Sequence, residues 1–449
     1  MQTLEEVNTA LIKLAETAGR NDKTALLTEY LRYELFKKVV TYALSSNMVY
    51  HIEKFPKFKP SMFAPKFYQD RIFEMLDTLA AQTGATTQDK LALYNVSCAS
   101  YGAYDVVKKI LQKDLKCGVG PKTINAACPH TIFYVPYCRC SSDSIEDKFW
   151  KKPGNRFAQL KEDGMFANVI LTAEFTEFLS RNGIKINQLD NLGYDLNYGF
   201  RKLAASPQVG TGELLIIRDG KVLDRQTGNG ILNSLIHGTA SKEDSDSVGI
   251  RLWDMVPYTE FWENYETSVP YETRFHNVST FVKKVDKPLY VDTVYTEIIK
   301  SKEEGQYFYR RMRALGHEGA VLKDPNAKWA DHTSPGMMKM KNVSTCALVL
   351  TGWKSGKEDS KYEDVMGALF FESKCGKLKV TVNGKSDEMR SFDWDSKIGT
   401  IWTIEFERVS YSKSKDTASL YLPRIQKERP DRSYADTLEE IETRLQKEK

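Results

Sequence analysis

Apolar positions recur at helical spacing through the first part of the chain. Leu4, Val7, Leu11 and Leu14 share one face of a segment running from residue 2 to residue 18. The same period predicts helices over 24–44, 71–81, 89–97 and 103–115. The run Asp114-Leu115-Lys116-Cys117-Gly118-Val119-Gly120-Pro121-Lys122-Thr123 reads as a helix stop at Gly118, a turn, and a new helix starting near Pro121. Exposed amides in such a corner can hold a phosphate, while the plainer reading is a helix–turn–helix corner. Residues 1–130 are therefore expected to form an all-α domain. Residues 131–155 end in a polar stretch with a Lys-Lys-Pro-Gly break and read as a linker.

From Phe157 the texture changes to short strands punctuated by Gly and Asp. Strands are predicted over 167–175, 212–218, 221–223, 250–253 and 320–323, and helices over 231–237 and 296–315. This is an α+β pattern over 156–343. Beyond Val343, strand-length apolar runs at 347–353, 367–372, 377–382 and 400–409 suit a small all-β barrel such as an OB-fold. That third domain, 344–449, closes with a charged helix over 436–448. The chain is thus predicted to be multidomain.

Composition changes this picture little: 41% apolar and 28% charged residues describe an ordinary globular protein. No apolar run reaches the length of a membrane span. The first twenty residues resemble neither a secretory signal nor a transit peptide, so a cytoplasmic location is expected. The net charge of +4 matches the excess in residues 1–130 alone, where 17 Lys or Arg face 13 Asp or Glu. There Lys54, Lys57 and Lys59 alternate with Phe55, Phe58 and Pro60, a mixture that suits either a nucleic-acid surface or a solvated loop. Seven cysteines, an odd number, suggest reduced thiols. Cys128, His130, Cys138 and Cys140 lie close in sequence, but their spacing fits no common zinc finger.

The candidate chemistry starts at Lys161. It ends the run Phe157-Ala158-Gln159-Leu160 and precedes a turn at Asp163-Gly164, which places a lysine nucleophile at a strand end. A lysine amine attacks only when neutral, and moving it from its usual range to working pH costs roughly 4 kcal/mol. Neighbouring cations supply that shift. Lys339 and Lys341 alternate on one strand and could face the same pocket. Glu213 and Glu318 each adjoin a glycine at a strand start and suit a Mg²⁺ held against phosphate oxygens, with one of them alternatively on ribose hydroxyls. Trp253 offers a flat surface for a purine. Lys427 and Arg429 suit a triphosphate tail. Taken singly, each of these residues is more often a surface group, a turn residue or core. Their joint order along the chain is what carries the reading.

That order resembles the covalent nucleotidyltransferase superfamily, and within it the ATP-dependent DNA ligases, above all those of T-even phages and their relatives. The resemblance rests on Ala158-Gln159-Leu160-Lys161, the segment 225–231 around Gly-Asn-Gly-Ile, Trp253-Asp254-Met255-Val256-Pro257, and Asp114-Leu115-Lys116-Cys117-Gly118. It implies an N-terminal all-α DNA-binding domain, an α+β nucleotidyltransferase domain of ATP-grasp-like adenylation type, and an OB-fold domain. It implies ATP and Mg²⁺ (or Mn²⁺) as cofactors. Lys161 would carry AMP, with Gln159, Leu160, Arg181, Glu213, Trp253, Lys339, Lys341, Lys427 and Arg429 around the nucleotide. Arg181, Lys116, Gly118 and Lys122 would meet nicked duplex DNA. A monomer acting in the host cytoplasm is implied, and a phage sliding clamp is left open as a further partner. Two departures stand out. The family usually carries arginine where this chain has Phe166. The late motif has Lys427 where arginine is usual and Arg424 where an apolar residue is commoner. An RNA ligase, an mRNA guanylyltransferase and an inactive DNA clamp of the same fold are the competing readings.

Overall fold

A computed structural model describes the chain except at residues 53, 61–67, 204, 342–343, 357–361, 385, 412–415 and 448–449, and the side chains of residues 20, 143, 226, 341, 446 and 447. The fold combines helices with mixed sheets in two compact units. One takes Met1–Arg139, Asp163–Val294 and Pro325–Ser334; the other takes Cys140–Glu162, Tyr295–Asp324 and Pro335–Lys449.

The first unit opens with helices Leu4–Glu16, Arg20–Tyr30, Glu34–Leu44, Tyr68–Ala81, Thr87–Ser97, Tyr101–Leu111 and Pro121–Ala127. Leu4, Val7, Leu11 and Leu14 enter a core with Phe36, Val39, Ile72, Leu76, Val106 and Ile110. Reciprocal capping boxes at Thr3/Glu6 and Thr86/Asp89 start two of these helices. The long helix expected over 24–44 is instead two helices. The chain tightens through Arg32 N–H to Glu29 O and Tyr33 N–H to Tyr30 O, and the Tyr30 ring settles 5.5 Å from Phe36. Neither Gly nor Pro marks that break.

The same unit carries a sheet in the order Thr176–Ser180, Met165–Leu171, Gln208–Arg218, Val248–Pro257, Val291–Thr293. Helices Asp190–Leu203 and Tyr271–Val285 supply Leu192, Leu196, Phe200, Val278 and Phe281 to its core. Both helices escaped the sequence reading. Strand Val248–Pro257 carries a bulge: Leu252 pairs with Gly212 and Asp254 with Thr211, so Trp253 is the extra residue. The bulge changes which parity faces inward. Ile250, Leu252 and Met255 enter the main core, while Val256 joins a separate cluster with Val135, Val209, Phe261 and Trp329. Asp254 receives the Arg274 Nε at 2.7 Å and Nη2 at 3.1 Å. Arg274 also donates to the carbonyls of Val269 and Ala327. Both side chains are almost wholly buried.

A five-stranded sheet lying mostly in the second unit has the order Arg139–Ser141, Thr333–Lys341, Gly319–Lys323, Arg156–Lys161, Thr296–Ile299. The helix predicted over 296–315 is corrected here. Thr296–Ile299 is a strand paired with Arg156–Lys161, and the helix runs only from Lys302 to Ala314. Ser301 caps that helix by accepting from the Glu304 amide. The polar stretch before the nucleophile strand also contains structure. Glu146–Phe149 is helical, and buried Arg156 donates to the carbonyls of Phe149, Lys152, Gly154 and Asn155. A second five-stranded antiparallel sheet follows, ordered Lys379–Asn383, Met366–Glu372, Ser344–Ser355, Ile401–Phe406, Arg424–Glu428. Leu348, Leu369, Phe371, Val380, Ile404 and Phe406 form its core, and the last helix adds Ile441.

The buried Arg274–Asp254 pair generates a stability prediction. Arg274→Met leaves Asp254 desolvated and uncompensated, which costs about 3–5 kcal/mol. Urea denaturation followed by tryptophan fluorescence should show the loss. Pairing it with Asp254→Leu should restore most of it. A single variant as stable as the parent refutes this account.

Candidate active site

Backbone register assembles the centre of the site. In the Arg156–Lys161 strand, Lys161 lies opposite Gly319, Gln159 opposite Val321, and Phe157 opposite Lys323. On the next strand, Lys341 lies opposite Gly319 and Lys339 opposite Val321. Directly opposed residues share a face, so Lys161, Gln159, Lys323 and Lys339 occupy one side of the sheet. Lys341 holds the corresponding backbone position; its side chain lies outside the described atoms.

Glu318, one residue before the Gly319–Lys323 strand, reaches the Lys161 Nζ with Oε2 at 2.5 Å. The Lys161 side chain is 25% exposed and that of Glu318 13% exposed. Arg313, near the end of helix Lys302–Ala314, donates to the His317 carbonyl at 2.8 Å and to that of Glu318 at 3.4 Å, which fixes the turn bearing the carboxylate. Gln159 is buried and donates to Thr296 Oγ1 at 3.1 Å. The Leu160 amide donates to Tyr295 O. Burial pushes the Cys140 thiol up, against the opposing pull of Lys323, Lys339 and Lys161. One thiol therefore senses all three ammonium groups. Lys323 was quoted in sequence only as the end of a motif; its 3% exposure marks it as a buried cation of this face.

Gly164 explains the glycine after Lys161-Glu162-Asp163 differently from the sequence reading. It is not among the residues with positive φ. Instead, a Cβ there would lie 2.1 Å from the Leu214 carbonyl oxygen and 3.1 Å from Glu213 Cγ. Close approach of strands, rather than turn geometry, demands it.

The first unit carries its own group. Phe166 lies opposite Glu213 across paired strands, so their side chains share a face. The Phe166 ring centroid is 6.0 Å from that of Trp253 and 5.1 Å from that of Tyr137. The Arg181 guanidinium stands 4.8 Å from the Tyr137 centroid and 5.3 Å from that of Phe166. Arg225, in the helix Arg225–Ile236, pairs with Asp163 at 2.6 Å.

The lysines of the helical corner make internal contacts. Lys116 pairs with Asp114 at 2.7 Å, and Lys122 with Asp331 Oδ2 at 2.9 Å. Gly118 adopts φ +70°, and Lys23 Nζ caps the neighbouring Cys117 carbonyl at 2.9 Å. Lys54, Lys57 and Lys59 are exposed, while Phe55 packs on Tyr94 and Tyr104, and Phe58 on Tyr101 and Tyr104. In the second unit, Lys427 lies on the strand Arg424–Glu428 and Arg429 just beyond it, held bidentately by Asp431 at 2.8 and 2.6 Å. Among the described residues, no three His, Cys, Asp or Glu side chains gather as a metal site, and no helix is long and apolar enough to cross a membrane.

The nucleophile strand, the Gly319–Lys323 strand and the lysine strand beside it fall inside a recognised domain. Residues 138–341 match the ATP dependent DNA ligase domain. The class read from the Lys161 motif is therefore borne out. Over its length the chain is similar to the DNA ligase of Enterobacteria phage T4, at 26% identity covering 96% of this chain and 97% of that protein. The DNA ligase of Enterobacteria phage T6 matches equally well, also at 26%. The solved structure of Pmar-Lig_PreS3 has the same fold, with a TM-score of 0.76 at 21% identity, covering 96% of this chain and all of that one.

The crowding at Gly164 predicts a sharp sensitivity. Gly164→Ala forces the Leu214 strand and Glu213 outward, an overpacking that costs about 1–3 kcal/mol. A lowered melting temperature together with reduced transfer of label from ATP to protein is expected. A fully active, equally stable Gly164→Ala protein contradicts the packing described.

Proposed function

We propose that the protein is an ATP-dependent DNA ligase that seals nicks in duplex DNA during replication, repair and recombination. The observation that carries this reading is the Lys161 amine at a strand end, within 2.5 Å of the Glu318 carboxylate, inside a ligase domain. The Lys161 Nζ attacks the α-phosphorus of ATP. An N–P bond forms and the bond to pyrophosphate breaks. The AMP then passes to a 5′-phosphate at a nick, and the neighbouring 3′-hydroxyl displaces AMP to form the phosphodiester. An ammonium is no nucleophile, so a proton must leave first; the Glu318 carboxylate is the acceptor within reach. Lys323 and Lys339, on the same face, stabilise negative charge on the phosphoryl group during transfer.

Gln159 and Leu160 set the lysine beside the nucleotide. Trp253 supports the base, and Glu213 serves either the ribose hydroxyls or the metal. Lys341, Lys427 and Arg429 complete the phosphate contacts, the last two in the first step only. Magnesium suits this donor set only in part. Glu318 or Glu213 would supply one carboxylate, and nucleotide phosphates and water would supply the rest, since no prearranged cage exists among the described residues. When bound, Mg²⁺ neutralises phosphate charge; manganese fits the same oxygen donors.

The helical domain, including Lys116, Gly118 and Lys122, and an OB-fold domain over residues 344–449 would hold duplex DNA mainly through its phosphates. Sequence preference should then be slight. The protein would act as a monomer in the cytoplasm of a phage-infected host.

Two measurements test the reading. Incubation with α-labelled ATP should tag the protein, and nicked DNA should chase the label into sealed product. Lys161→Ala should abolish tagging while retaining nicked-duplex binding. Label from GTP alone, or none at all, rejects the ligase assignment. Separately, affinity for nicked duplex should fall steeply with salt, losing about 10³-fold or more between 50 and 200 mM if six or more phosphates are contacted. A flat salt dependence removes the phosphate-binding model.

A further inference from the structure

The first unit holds an arginine whose guanidinium is seated on two aromatic rings. Arg181 follows directly on the Thr176–Ser180 strand and is exposed. Its guanidinium carbon is 4.8 Å from the Tyr137 centroid and 5.3 Å from the Phe166 centroid. The two rings meet edge to face at 5.1 Å and 85°. Tyr137 is itself fixed, because its amide donates to Asp331 Oδ1 at 3.1 Å and Asp331 Oδ2 is paired with Lys122 at 2.9 Å. Phe166 is buried and stands in register opposite Glu213.

A ring face attracts a guanidinium through its quadrupole without using the planar N–H donors. A carboxylate partner would occupy those donors, as Asp431 occupies those of Arg429. Arg181 makes no ion pair among the described residues. Its charge is therefore positioned while its hydrogen-bonding edge stays available. That is the arrangement suited to a bidentate phosphate contact. It also bears on Phe166. A cation from a neighbouring strand end lies against its ring.

We propose that Tyr137 and Phe166 are positioning residues that hold Arg181 against phosphate oxygens. This rests on the ligase reading. The phosphate belongs either to the adenylate or to a DNA strand at the nick, and the two sources separate experimentally.

The test is a mutant cycle with Phe166→Leu, Phe166→Trp, Arg181→Gln and the double variant Phe166→Leu/Arg181→Gln. Leucine keeps an apolar side chain but removes the ring face; tryptophan keeps a face. Two rates are read for each protein: self-adenylation from ATP, and sealing of nicked duplex already carrying 5′-adenylate. Phe166→Leu should slow at least one rate by about two- to thirty-fold, the range set by cation–π attraction. Phe166→Trp should recover most of that loss. In the Arg181→Gln background, Phe166→Leu should add nothing further. Loss confined to adenylation assigns the nucleotide phosphate, and loss in sealing assigns the strand phosphate. Equal cost of Phe166→Leu with and without Arg181 overturns the proposal and leaves ordinary core packing. So does an Arg181→Gln protein with parental rates in both arms. If the parental protein itself neither adenylates nor seals, the ligase reading falls and the positioning role of Tyr137 and Phe166 falls with it.

Discussion

The contact between Lys161 and Glu318 depends on antiparallel pairing that sets residue 161 opposite residue 319. Everything else in the centre follows from that registration. Because strands alternate sides, the same alignment carries Gln159, Lys323 and Lys339 to the side of the nucleophile. A slip of one residue would send the amine to the opposite side of the sheet, away from the carboxylate and the other cations. Two features guard against it. Arg156 ties the beginning of the strand to four carbonyls. Thr296–Ile299 pairs along its other edge.

A face bearing several lysines is unstable on its own terms, since like charges repel. The Glu318 carboxylate offsets part of that repulsion at the amine that must react, and Cys140 is a neutral neighbour to three of the cations. The arrangement makes chemical sense when a polyanion is the substrate. A triphosphate supplies the negative charge that the protein itself provides only sparingly.

Part of this arrangement is legible in the sequence. Lys161, Glu318 and Lys339 sit in short motifs whose order survives because their chemistry is local and their strands are continuous. The α-helical texture of the first 127 residues was legible for the same reason, since its apolar stripes are regular. Features set by distant partners were not. The strand at Thr296–Ile299 was absorbed into a helix, although its β-branched residues and the Ser301-Lys302-Glu303-Glu304 cap marked both its nature and its end. The break at Leu31–Tyr33 has no Gly or Pro to announce it. Helices Asp190–Leu203 and Tyr271–Val285 carry amphipathic patterns, yet Gly193, Gly199 and many polar residues thin the stripe. The reason for Gly164 needed the Leu214 carbonyl. The company kept by Phe166 could not be read at all, because Tyr137 and Arg181 are remote in sequence.

The bulge at Trp253 reaches beyond the residue itself. By inserting one unpaired position it reverses the inside–outside alternation of its strand, so that Leu252 and Met255 enter one core while Val256 enters another. The strand is thus in two phases joined at a single point, where it carries one residue more than its partner strand. Without that residue the same pairs, Leu252 with Gly212 and Asp254 with Thr211, would follow one another in an unbroken ladder, and only the ring would be lost.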